Sequence, residues 1–368
     1  MIVLITINTL YIITFFSVLF IARFVFARYY LIAEKYNLVK GYSNRAVHNG
    51  KIYTGAGLVL SFILLLAAVG LNNIEFLFFE KLAPIISVSV LVAVVGFYDD
   101  FRELSAFKKY IVLSFLIAMT IYAGQSDGVD YGIITNLNGF FGINEIGYFT
   151  GFILTGFIYL SIMNAINLID GINGYIGIFA IILFFLFFII YHNDAFFTHS
   201  ILSIIFIASM TVFLKHNFSR KKQLFVGDAG SLFLGFWMAN FLILFITSAD
   251  GASFTNLFSI KLENIPVIAI ATVNIPVLDT LRIMLIRALK GKSPFRGDTN
   301  HIHHILIDNG ITHFTTSIIL CLINIFNLLL IFFLEPYFNS VELTGVYIGI
   351  SLIWFGVFEY IKRKKSSS

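Results

Sequence analysis

The chain has 368 residues, of which 59% are apolar and 12% charged, and its mean hydropathy is +0.92. That balance excludes a soluble globular domain and points to a polytopic, all-α integral membrane protein. A net charge of +4 gives no reason to expect a nucleic-acid partner, and the single cysteine, Cys321, lies inside an apolar run, which excludes a disulfide framework.

Apolar stretches of about 17–25 residues, the length needed to cross a bilayer, fall at 2–22, 52–71, 83–98, 110–124, 147–163, 172–191, 199–214, 232–248, 266–286, 314–334 and 345–361. The third, fourth and seventh are short. The first has no basic leader and no small-residue cleavage site, so it reads as a retained span rather than a signal peptide. With the N-terminus outside, 22 of the 24 lysines and arginines fall in inner segments, leaving only Lys81 and Lys261 outside. This bias predicts about eleven transmembrane helices, with the N-terminus out and the "KRKKSSS" tail in the cytoplasm. No repeat or linker divides the chain, so a single domain over 1–368 is expected.

On this topology the unusual polar stretches share the cytoplasmic side, which suggests one active site. "GFYDD" (96–100) closes the third span. Its adjacent carboxylates, Asp99 and Asp100, are the kind of oxygen ligands that hold Mg²⁺ together with substrate phosphates, although a membrane-surface cap is the plainer reading. "NAINLIDGINGY" (164–175) closes the fifth span, with Asn164, Asn167 and Asp170 spaced along one helical stripe and Asn173 in the glycine-rich tail. Such groups at membrane depth mark function, or else a polar seam between spans. "FVGDAGS" (225–231) opens the eighth span and sets Asp228 between glycines at a helix start, where it can meet a cation; a plain turn is the alternative. "GKSPFRGDTNHIHH" (291–304) follows the ninth span. Its Asp298, Thr299 and Asn300 are candidate helix caps, and His301 and His304 share a face. His301, His303 and His304, beside Arg296 and Lys292, read as phosphate donors. A zinc site is disfavoured because no cysteine accompanies them.

These four motifs, in this order and at these separations, resemble the polyprenyl-phosphate N-acetylhexosamine-1-phosphate transferases. The resemblance extends from Tyr42 to Gly310 by motif. It implies Mg²⁺-dependent transfer (Mn²⁺ as a substitute) of a sugar 1-phosphate from a UDP-sugar to undecaprenyl phosphate in the bacterial inner membrane, releasing UMP. By the same resemblance Asp99 and Asp100 engage the lipid phosphate and the metal region, and Asp228 is a metal ligand. Asn167 and Asp170 match positions lining the nucleotide-sugar pocket, and the segment of His301, His303 and His304 matches the loop that closes over the diphosphate and sugar. Asp170 is counted with Asp99 and Asp100 as a catalytic candidate, and Asn164, Asn173 and Arg296 are taken as further substrate-binding candidates. The expected partners are the bilayer and these two substrates, with a homodimer as one assembly to consider.

Within the family, "HIHH" looks like the branch that initiates O-antigen and teichoic-acid type glycans. It differs from the peptidoglycan-precursor branch, where Ile302 would interrupt three consecutive histidines. Tyr53 and Thr299 depart from the family pattern and leave the sugar open between N-acetylglucosamine and a 6-deoxy relative. A cation-coupled secondary transporter is the rival from another class, but its site belongs near the bilayer midplane between related halves.

Overall fold

The computed structural model describes residues 2–36, 38–40, 51–72, 74, 79–124, 132–192, 196–219, 222–249, 253–292 and 301–366. Lipid offers no partner to a stray peptide group, so apolar stretches close their own hydrogen bonds as helices. In chain order the elements are α1 (Ile2–Lys35), β1 (Val39–Lys40), β2 (Lys51–Tyr53), α2 (Ala56–Leu71), α3 (Phe79–Phe101), α4 (Ala106–Ala123), β3 (Asn136–Phe140), β4 (Ile143–Glu145), α5 (Tyr148–Ile169), α6 (Tyr175–Tyr191), α7 (Phe197–Asn217), β5 (Lys222–Leu224), α8 (Gly227–Thr247), α9 (Ser253–Phe258), α10 (Ile265–Thr272), α11 (Asn274–Leu289), α12 (Ile302–Asp308), α13 (His313–Leu334) and α14 (Ser340–Ser366).

The chain is a multi-pass membrane protein. Each of the eleven apolar stretches falls largely on a helix, the second beginning in β2 and the ninth lying on the pair α10 and α11. By length and composition, eight described helices can cross a membrane, or nine when α10 and α11 count as one bent span; α2 and α6 are shorter apolar helices of 16 and 17 residues. The spans expected to be short are not: α3, α4 and α7 have 23, 18 and 21 residues. α1 runs for 34 residues, about 51 Å at 1.5 Å per residue, well beyond the hydrocarbon core. Hydropathy sees only its apolar part, whereas the helix continues through Arg23 and Arg28.

Two compact units make up the chain: Met1–Leu104 with Ile176–Met238, and Ser105–Tyr175 with Ala239–Ser368. In the first, α1 packs along α7 and α2 along α3, and Phe206 and the fully buried Trp237 meet with ring centres 5.6 Å apart. A small sheet, unforeseen from sequence, ties off the end of α1. There β1 pairs antiparallel with β2, and β2 parallel with β5. Tyr53, which departs from the family pattern, is a fully buried strand residue whose hydroxyl donates to Glu34 at 2.8 Å. Lys222 pairs with the same carboxylate at 2.9 Å.

In the second unit α5 lies between α4 and α11, and α10 packs on α13. A second unforeseen sheet, the β3–β4 hairpin, completes it. The helix axis turns by 74° between α10 and α11. Pro276 has no N–H to give the Thr272 carbonyl one turn back, so the ladder opens there. Asn324 of α13 repairs it from both sides. Its Nδ2 donates to the Thr272 carbonyl at 2.8 Å, and its Oδ1 accepts the Ile275 N–H at 3.0 Å. Asn324→Leu keeps the volume but strands both backbone groups, each worth about 1–3 kcal/mol when buried. The variant is expected to unfold at a clearly lower temperature in detergent; an unchanged midpoint would remove Asn324 from this role.

Candidate active site

In the first unit the structure brings two of the four motifs together. Asp99 and Asp100 lie in the last turn of α3, and Asp228 in the first turn of α8. Asp100 Oδ2 accepts the Ala229 N–H at 3.3 Å, so its charge meets the positive end of α8. Gly227 has φ +64°, and a Cβ built there would lie 2.6 Å from Asp100 Oδ2. Both the backbone and the carboxylate therefore require glycine. Gly57 of α2 and Gly96 of α3 press on the Ala229 carbonyl and the Asp228 backbone, where any Cβ would collide, so the turn carrying Asp228 is wedged between two helices. Asp99 is partly the cap that the plainer reading anticipated: its Oδ1 accepts the Leu104 N–H at 2.6 Å, closing the turn after α3.

The second unit brings together the other two motifs. Asn164 and Asn167 lie on the last turns of α5, and Asp170 follows as its C-cap rather than continuing the helical stripe. Tyr110 donates to Asn164 Oδ1 at 2.6 Å, and Lys109 Nζ approaches Asn167 Oδ1 at 3.4 Å. Part of the stripe is thus a seam to α4. Lys109, one of the inner-segment charges, sits in the first turn of that helix, which begins at Ala106, four residues before the predicted start of the span. Asn173 enters through its backbone carbonyl, which accepts from Ser317 at 2.9 Å. A Cβ on Gly171 would fall on the His303 ring, so the glycine after Asp170 is what lets the histidine segment close in.

The helix after that segment starts at Ile302, with His301 as its N-cap residue in extended conformation. None of Asp298, Thr299 and Asn300 is that cap residue; all three, with Arg296, lie outside the described residues. Since His301 is not yet helical, it does not share a face with His304. Its ring stacks on His303 with centres 5.6 Å apart and planes 4° apart, while His303 and His304 are 4.2 Å apart. His301 Nδ1 lies 2.8 Å from Asp279 Oδ2, and the Ile302 N–H donates to Asp279 Oδ1 at 2.9 Å. Asp279 and Arg282, an i, i+3 ion pair at 3.3 Å on α11, are buried. Sequence reasoning missed both; the signal was a carboxylate and a guanidinium inside the ninth apolar stretch. Arg282 had been counted as an inner-loop charge, yet its side chain is fully buried.

Asp99, Asp100 and Asp228 each offer only oxygen donors, the kind that suits a hard cation such as Mg²⁺. Among the described residues no group of three His, Cys, Asp or Glu side chains could hold a metal by itself. A cation there would need phosphate oxygens and water to complete its shell, as Mg²⁺ ordinarily does. The same finding leaves the histidines without a zinc cluster among the described residues. His303 is 1% exposed, and neither ring nitrogen has a hydrogen-bond partner among those residues. Burial, followed by the neighbouring His304, pushes its pKa down to about 3. Above the ordinary value of 6.5 the ring is neutral whether the chain is folded or not. Below it the unfolded chain takes up a proton that the fold refuses, so stability falls with pH by on the order of 1 kcal/mol per unit. Between pH 6.5 and 5 the detergent unfolding midpoint should therefore drop more steeply for the wild type than for His303→Gln; equal slopes would contradict a buried neutral ring.

The model of glycosyl transferase family 4 matches residues 82–246. A protein of Bacillus subtilis (strain 168), named probable undecaprenyl-phosphate N-acetylglucosaminyl 1-phosphate transferase, is 31% identical over 294 residues, covering 79% of this chain and 76% of the relative. An undecaprenyl-phosphate alpha-N-acetylglucosaminyl 1-phosphate transferase of Pasteurella multocida (strain Pm70) is 37% identical over 95 residues, 26% of this chain and 24% of its own. A decaprenyl-phosphate N-acetylglucosaminephosphotransferase of Mycolicibacterium smegmatis is 30% identical over 122 residues, 32% of this chain and 29% of its own. With two pairs of motifs folded together and a relative matched across three quarters of its length, the chain belongs to glycosyl transferase family 4, the polyprenyl-phosphate N-acetylhexosamine-1-phosphate transferases.

Proposed function

We propose that this protein transfers N-acetylglucosamine 1-phosphate from UDP-N-acetylglucosamine to undecaprenyl phosphate, giving an undecaprenyl-diphospho-sugar and UMP. The observation that carries the reading is the meeting of the end of α3 with the start of α8, where Asp100 Oδ2 accepts the Ala229 N–H at 3.3 Å beside the turn that carries Asp228. The names of the relatives support undecaprenyl phosphate as the acceptor and N-acetylglucosaminyl 1-phosphate as the group transferred. The basic bias of the loops supports a bacterial inner-membrane setting with these motifs on the cytoplasmic face, where nucleotide sugars are made.

The chemistry joins two phosphates. A lipid phosphate oxygen attacks the phosphorus nearest the sugar, the bond from that phosphorus to the bridging oxygen breaks, and UMP leaves with both bonding electrons. Mutual repulsion of anions is the main obstacle, so positioning and charge neutralisation matter more than covalent help. Mg²⁺, when bound, supplies that neutralisation on the phosphate oxygens. Asp228 and Asp100 would hold it, and Asp99 would orient the lipid phosphate and take its last proton, which leaves near neutrality without an extreme pKa. In the second unit Asn164, Asn167, Asp170 and Lys109 would bind the nucleotide sugar, and His301, His303 and His304 its diphosphate. A 6-deoxy-N-acetylhexosamine donor would use the same groups.

Purified protein in detergent, given UDP-N-acetylglucosamine, undecaprenyl phosphate and Mg²⁺, should release UMP only when lipid and metal are both present. Asp228→Asn, folded and membrane-inserted, is expected to lose about 100-fold or more in turnover, the scale of a lost charge-stabilising group. Wild-type protein that releases no UMP would overturn the reaction, and a near-normal Asp228→Asn would remove that residue from the metal region.

A further inference from the structure

We propose that Asp279 is a positioning residue for His301: its carboxylate fixes which ring nitrogen carries the proton and where α12 begins, and Arg282 and Glu359 hold that carboxylate in place. A carboxylate 1% exposed on a bent apolar span is costly and needs partners. Among the described residues, each hydrogen-bond partner of Asp279 serves the histidine segment or its anchor. Oδ2 faces His301 Nδ1 at 2.8 Å, and Oδ1 accepts both the Ile302 N–H at 2.9 Å and Arg282 Nη2 at 3.3 Å. Arg282 Nη1 in turn donates to Glu359 of α14 at 2.6 Å.

An ionised carboxylate only accepts hydrogen bonds, so the His301 Nδ1 must be the donor. That leaves Nε2 as the nitrogen available to a ligand, the same logic by which an outer-shell carboxylate sets a histidine's tautomer elsewhere. The second carboxylate oxygen satisfies the first N–H of α12, whose own N-cap residue makes no side-chain cap. One side chain therefore sets the ring's tautomer, its orientation and the helix that carries His303 and His304. Glu359 extends the chain of contacts to α14, the least buried of the candidate spans, and so gives that peripheral helix a link to the histidine segment.

The proposal rests on the transferase reading for its effect on turnover but not for its geometry, so two measurements separate them. Long-range ¹⁵N–¹H correlation on protein labelled at its histidine rings, with His301 assigned through His301→Gln, should show the proton on Nδ1 in the wild type. In Asp279→Asn, whose amide would donate to Nδ1, it should move to Nε2. A wild-type His301 protonated on Nε2 overturns the proposal without any variant having to fold and without any substrate. In the UMP assay Asp279→Asn should lose ~10–100-fold in kcat/KM for the UDP-sugar, with the KM for undecaprenyl phosphate unchanged. Added to His301→Gln it should cost little more, because it acts through that ring. A full further loss in the His301→Gln background would make Asp279 a merely structural group and overturn the proposal. Absence of turnover in the wild type would instead overturn the transferase reading and leave the NMR result to decide this one.

Discussion

The intolerance of lipid for unpaired peptide groups governs this fold most visibly at the break between α10 and α11. Pro276 opens the ladder and Asn324 closes it again through one donor and one acceptor. The helix can therefore turn by 74° without leaving the Thr272 carbonyl or the Ile275 N–H stranded. That turn sets the course of α11, α11 presents Asp279, and Asp279 orients His301 and starts α12. A backbone repair in the span thus underlies the placement of a polar loop that composition alone would leave free.

The first unit meets a related demand with glycines instead of an amide. Helices carrying side chains at 57 and 96 could not approach the first turn of α8. With glycine there, Asp100 reaches the Ala229 N–H, so two motifs 128 residues apart in sequence number, from Asp100 to Asp228, meet. The positive end of α8 offsets part of the charge that Asp100 brings to it.

Most of the fold was legible because span length and apolarity are written locally. The same locality explains what was not. α1 outruns its apolar part because arginine and glutamate are good helix formers once a helix has begun. The two small sheets use strands of two to five residues, too short for a periodic signal. Of the candidate site, the four motifs could be read from residue type and spacing, and so could the place of Asp228 at a helix start. The tautomer-setting carboxylate could not, since Asp279 and Arg282 look from sequence like one acidic and one loop-side basic residue near a span end. Only the 22-residue step from Asp279 to His301 in three dimensions reveals their purpose. His301 and His304 were paired by helical spacing, but the helix begins one residue too late for that rule to apply.

The central claim is that phosphorus moves together with the sugar, and a doubly labelled donor tests it directly. UDP-N-acetylglucosamine carrying ³H in the sugar and ³²P in the phosphate next to it would be incubated with the protein, Mg²⁺ and undecaprenyl phosphate, and the lipid then extracted. Both labels in the lipid at the donor's ratio, with unlabelled UMP in the water phase, is the outcome the account predicts. Tritium in the lipid with ³²P left behind in UDP would mean transfer of the sugar alone and would contradict it.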